Sequence, residues 1–139
     1  MAVIAHNNEE VKLLARLMRA EAESEGTKGM LLVGNVVVNR ALVKCLDFKN
    51  INTIQKAVML KPGGFEATSK GYFYQAARKQ DIKLAKRVLN GEKFVPASYA
   101  LWFYNPQGKQ CQKYWWNQPQ SGAYKNHCFY APNNEENCF

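Results

Sequence analysis

A chain of 139 residues that is 47% hydrophobic and 22% charged has enough apolar material for one core, and shows neither a disordered bias nor a low-complexity run. Its formal net charge of +8, from 19 Lys and Arg against 11 Asp and Glu, favours polyanionic partners such as nucleic acid or anionic wall polymers. The basic residues are scattered (Lys12, Arg16, Arg19, Lys83, Lys86, Arg87), which argues against a nucleic-acid patch, and no run approaches the roughly 18 apolar residues of a membrane span.

In chain order, MAVIAHNNEE has neither the basic leader nor the apolar core of a signal peptide, so the expectation is a chain made in the cytoplasm. One domain covers residues 1–139, with 1–7 as a flexible tail. Asn7 and Glu10 are spaced as a capping box, and they predict a first helix from about Asn8 to Glu25, stopped by Gly26. Thr27 is then placed to cap a second helix, from about Lys28 to Val43. The run MLLVGNVVV is apolar on nearly every side and too long for one strand, so this helix is expected at the centre, with Asn39 and Arg40 closing its polar end.

The first helix holds the candidate chemistry. On a 3.6-residue period Val11, Leu14, Ala15, Met18 and Ala22 share one face; Glu21 sits at its margin and Glu23 points away. A carboxyl half-sunk among apolar side chains is more easily kept protonated near neutral pH, because desolvation disfavours its charged form. That is the property of a general acid in glycosidic cleavage. The plainer alternative is a helix-terminal Glu that stays in water.

Thr53 heads a short helix, IQKAVML, which must stop before Pro62. In the loop PGGFEATSKG, Gly63 and Gly64 free the backbone for close approach, and Phe65 can stack on a sugar or anchor the loop in the core. A helical stretch follows from Tyr72 to Lys79. Asp81 is read as the cap of a further helix, IKLAKRVLNG, with Ile82, Ala85, Val88 and Leu89 inside and Gly91 as the stop. The last third is rich in Tyr, Trp and Phe, with turn signals at Asn105 to Gly108 and at Gln118 to Gly122, and predicts short strands or ordered loops. The fold class is therefore mainly α (α+β), helices first and a small aromatic cap afterwards. Cys45, Cys111, Cys128 and Cys138 form no CxxC pair, and bridging, crosslinking and free thiols all stay open.

LARLMRAEAESEG followed by MLLVGNVVVNR resembles the opening of the SleB/CwlJ family of cortex-lytic cell-wall hydrolases of spore-forming bacteria. TIQKAVMLKPGGFEA, AKRVLNG, ALWFYNP and NHCFY are similar to its later segments, so the resemblance covers nearly the whole chain. The missing leader makes the chain look like the short branch of that family. The resemblance implies a lysozyme-like, lytic-transglycosylase-like fold, places the catalytic glutamate on Glu21 and matches Glu25 to a second family acid. Glu23 departs from a commonly basic position, and Gly64 from a Gln before the aromatic.

The implied reaction is cleavage of the β-1,4 bond between N-acetylmuramic acid and N-acetylglucosamine in spore-cortex peptidoglycan during germination. One glutamate serves as general acid and base, and the muramic 6-hydroxyl attacks the anomeric carbon. Paired carboxylates are the usual alternative, and only Glu25 is placed to supply the second. Phe65, Tyr104, Asn105, His127 and Tyr130 are the expected sugar contacts, ranked above Trp102, Trp115 and Trp116 by the resemblance alone. No cofactor and no metal are expected. The expected partners are cortex peptidoglycan and spore-coat proteins, without nucleic acid or membrane, at the coat–cortex boundary after synthesis in the mother cell.

Two other readings compete. A zinc amidase would have to draw on His6, His127, Cys111, Cys128 and Cys138, an irregular set. Cys128 as a nucleophile beside His127 is disfavoured because adjacent residues of an extended segment point to opposite sides. A non-enzymatic wall-binding or coat protein would use the same aromatics and positive charge merely to grip glycan.

Overall fold

The computed structural model describes residues 2–61, 64–115, 117–133 and 138–139; Pro62, Gly63 and Trp116, invoked above, lie outside them. Four helices, α1 (Asn8–Ala22), α2 (Gly26–Leu42), α3 (Ile54–Met59) and α4 (Lys79–Leu89), precede four short strands, β1 (Trp102–Tyr104), β2 (Tyr114–Trp115), β3 (Gln118–Tyr124) and β4 (His127–Tyr130). The architecture is thus mainly helical, and the aromatic last third builds its small β cap.

The capping box at Asn7 and Glu10 forms as its spacing predicts, with Asn7 Oδ1 accepting the Glu10 N–H at 2.9 Å and Glu10 Oε1 accepting the Asn7 N–H at 3.2 Å. Val11, Leu14, Ala15, Leu17, Met18 and Ala22 are buried along α1. The helix ends at Ala22 instead of Glu25. Glu23–Glu25 tighten into a 3-10 turn, and Gly26, expected as a stop, opens α2 without any side-chain cap from Thr27. Central placement of α2 is as the apolar run predicts: every residue from Gly29 to Ala41 is buried, against α1, α3 and α4.

Thr53 caps α3 through the Lys56 N–H at 3.1 Å. Tyr72–Lys79 is not one helix: two 3-10 turns, Glu66–Ser69 and Gly71–Tyr74, precede α4. The N-cap ahead of α4 is Arg78, and Asp81 sits three residues beyond it, reaching back to the Arg78 N–H at 3.2 Å and to its guanidinium at 2.8 Å. Burial pushes the Asp81 carboxyl up, but the hydrogen bonds and charge of Arg78 outweigh it and hold the group below its ordinary value.

The sheet is antiparallel in the order β1-β4-β3-β2. Gln118–Gly122, read as a turn, is most of β3, where a bulge between Gln120 and Gly122 absorbs the irregularity. A Cβ on Gly122 would stand 2.6 Å from that of Pro96, so β3 reaches the preceding loop only because this residue has none. Val3 donates its N–H to the Leu89 carbonyl at 2.8 Å, and Ile4 packs on the core. All four cysteines are bridged, Cys45 to Cys138 and Cys111 to Cys128.

Candidate active site

Glu21 lies in the last turn of α1, half-buried, and its Oε1 accepts the Ala67 backbone N–H at 3.0 Å from the 3-10 turn Glu66–Ser69. Burial raises its pKa above the ordinary 4.5. The Ala67 N–H and the charges of His127 and Arg40 pull the other way, while Glu66 adds to the rise, and the net direction is up. The environment therefore favours the protonated acid, as the helix-face argument anticipates. The marginal apolar position was legible; the N–H from 46 residues away was not.

Arg40, read from sequence only as the polar end of α2, is buried instead. Its Nε donates to the Leu101 carbonyl at 2.7 Å, and the guanidinium lies 4.7 Å from the Phe48 ring centre and 4.5 Å from that of Phe65. Burial pushes Arg40 down to about 10, opposed by the charge of Glu21. Phe65, 7% exposed and stacked on Phe103 at 5.8 Å, thus anchors its loop in the core. Gly64 turns the chain ahead of it where a Cβ would run into the Leu60 carbonyl.

Glu25 is buried and fully engaged. Its Oε2 accepts the Asn126 N–H at 2.8 Å, His127 Nδ1 lies against Oε1, and Lys125 Nζ reaches the Glu25 carbonyl at 3.3 Å. The turn between β3 and β4 is thereby clamped to the junction that follows Glu21. Gly29 permits it, because a Cβ there would come within 2.5 Å of the Glu25 Cβ. A glycine four residues after a glutamate, inside an otherwise apolar helix, was the available signal for this packing.

Strand alternation separates the other expected sugar contacts. His127 and Phe129 share the face of β4 that carries Phe103, the ring of His127 standing edge-on to Phe103 at 5.2 Å. Tyr104 and Tyr130 belong to the opposite face and stack with Trp115, at 4.8 Å from Tyr104. Tyr130 is wholly buried, its hydroxyl donating to the Gln112 carbonyl at 2.6 Å, so it offers no surface to a ligand; burial and the Tyr104 hydroxyl push its pKa above the ordinary range. Asn105 is exposed and uses its Oδ1 to accept the Gln107 N–H at 2.7 Å within a turn. Of the five expected contacts, only His127 and Phe65 sit on the Glu21 side.

The disulfides remove Cys111, Cys128 and Cys138 from consideration as thiolate ligands, and Cys128 as a nucleophile. Among the described residues no group of three or more His, Cys, Asp or Glu side chains is placed to hold a metal ion. A cavity of about 620 Å³ lies at the other end of α1, lined by Asn7, Glu10, Thr53 and Lys56 among others, and does not include Glu21.

A family model described as cell wall hydrolase matches residues 24–130, which takes in Glu25, Arg40, Ala67 and His127 and begins three residues after Glu21. The chain is similar to the cell wall hydrolase CwlJ of Oceanobacillus iheyensis, 59% identical over 132 residues spanning 95% of this chain and 93% of the relative. It is more distantly similar to the spore cortex-lytic enzyme of Bacillus subtilis, 24% identical over 123 residues, or 88% of this chain and 38% of that one. The catalytic domain of the Bacillus cereus SleB protein superimposes with a TM-score of 0.71 at 25% identity, covering 91% of this chain and 92% of that domain. With its fold, its buried acid site and these likenesses together, the chain belongs to the cell wall hydrolase family and is an enzyme of that kind.

Proposed function

We propose that this enzyme opens spore-cortex peptidoglycan during germination by cleaving the β-1,4 bond between N-acetylmuramic acid and N-acetylglucosamine, with Glu21 protonating the departing oxygen. The observation that carries the reading is the environment of Glu21: half-buried, held by one backbone N–H, and displaced toward the protonated form. An acid displaced toward its protonated form is better able to give a proton when the glycosidic bond stretches. Glu25, the other candidate acid, is committed to Asn126 and His127, which supports a route with one carboxyl over a pair. In the lytic form of that route the muramic 6-hydroxyl attacks the anomeric carbon and a 1,6-anhydro end forms.

The relatives named for cell-wall hydrolysis and for spore-cortex lysis support the substrate class. Action at the coat–cortex boundary, with delivery through spore-coat proteins after synthesis in the mother cell, completes the proposal. The positive charge of the chain suits a wall rich in peptide carboxylates.

Mass spectrometry of cortex fragments incubated with the purified enzyme tests the reaction. Anhydro-muramic ends are the expected product. Reducing ends would replace the lytic route with hydrolysis, free peptides would mark an amidase, and intact glycan would leave only binding.

A further inference from the structure

We infer that His127 is the base that works opposite Glu21, its Nε2 taking the proton of the hydroxyl that attacks the anomeric carbon while Glu25 holds the ring. This rests on the reading of Glu21 as proton donor. Glu25 lies against Nδ1, and its other oxygen is already occupied by the Asn126 N–H. The tautomer that satisfies this contact carries its proton on Nδ1 and leaves the lone pair on Nε2. Among the described residues Nε2 bonds to nothing, yet it is not among the buried polar atoms sealed from water. The ring is 12% exposed and is fixed edge-on to Phe103, so that one nitrogen faces protein and the other solvent. Phe103, which the ring meets edge-on, stacks in turn on Phe65, two residues before the Ala67 N–H that holds Glu21, and this chain of contacts puts the two groups in one site.

The step balances. The bond from C1 to the leaving oxygen breaks as Glu21 gives that oxygen its proton; the muramic C6 oxygen bonds to C1, and its proton passes to Nε2. The imidazolium then releases a proton to water and Glu21 regains one, so both groups are restored. Glu25 acts through His127 as a positioning residue, and the glutamate-only route is replaced by a division of labour between Glu21 and His127.

The test is His127→Asn, whose side-chain N–H can still reach Glu25 but which supplies no base. On solubilised cortex fragments kcat is expected to fall by about 100-fold or more, with KM little changed, which is the size of a lost general base. A melting temperature close to that of the parent shows that the clamp on Glu25 survives; should Asn unfold the chain, His127→Gln is read in the same way. A fall in kcat of less than about tenfold would reduce His127 to a prop for Glu25 and overturn the inference. Glu21→Gln run alongside separates the two claims: activity in that variant removes the donor, whereas an inactive Glu21→Gln beside an active His127→Asn removes the base alone.

Discussion

Glu21 is held where its neutral form is the comfortable one, and that has a cost for the fold. The folded chain binds this proton more tightly than the unfolded chain does, so stability is lost as pH rises from the ordinary carboxyl value of 4.5 through the raised one. Glu21→Gln keeps an oxygen for the Ala67 N–H and cannot ionise. Its melting temperature should therefore exceed that of the parent at neutral pH and converge with it in acid. A difference that does not change with pH in thermal denaturation would contradict the burial argument. The same sign governs catalysis, and cleavage by the parent should decline as alkali strips the acid of its proton. The position of Glu21 was legible because a helix face is local information. Arg40, Ala67 and Phe103 were not, since each enters the site through contacts dozens of residues away in the chain.

The junction between α1 and α2 is where the element boundaries were hardest to read and where the site is built. A continuous helix to Glu25 would have sent that side chain elsewhere; the 3-10 turn at Glu23–Glu25 swings it inward onto Asn126 and His127. Gly29 leaves room for it. Gly29→Ala gains about 1 kcal/mol of helix propensity, yet it sets a methyl against the Glu25 Cβ, where overpacking costs about 1–3 kcal/mol. The expected outcome in urea denaturation is a net loss of stability, together with slower cleavage because Glu25 and His127 shift. A stabilised, fully active variant would show that the clamp does not matter. In the β region the misreading has a plain cause: Pro119, Ser121 and Gly122 are turn residues by composition, but the bulge lets them lie within β3. The aromatic cluster was foreseen; its division between two sheet faces follows from register, which pairs Trp102 with Tyr130 and Tyr104 with Cys128.

Across the whole molecule one disulfide ties the segment after α2 to the C-terminal end and another lies within the β cap, and the cysteine spacing could assign neither. Cys45–Cys138 spans 93 residues and Cys111–Cys128 spans 17. Loop-closure entropy gives about 4.5 kcal/mol for the first and about 3 kcal/mol for the second. Replacing Cys45 and Cys138 together by Ser should therefore lower the melting temperature more than the same change at Cys111 and Cys128. The reverse order would mean that the short bridge carries strain relief or local packing beyond its loop length. The mainly helical layout was legible from apolar periodicity and capping, and α2 as its centre from an apolar run too long for a strand, whereas its lysozyme-like character came from the family resemblance alone. What the sequence could not show was that Val3 bonds to the end of α4 and Ile4 packs on the core, because one backbone hydrogen bond and one isoleucine carry that contact.

The most direct measurement is the rate at which Glu21→Gln releases glycan from cortex fragments, set beside Glu25→Gln and the parent. Removing the proton donor should abolish detectable cleavage, a loss of at least about 100-fold, with binding retained, whereas Glu25→Gln should retain measurable turnover. Cleavage by Glu21→Gln at the rate of the parent would contradict the account at its root.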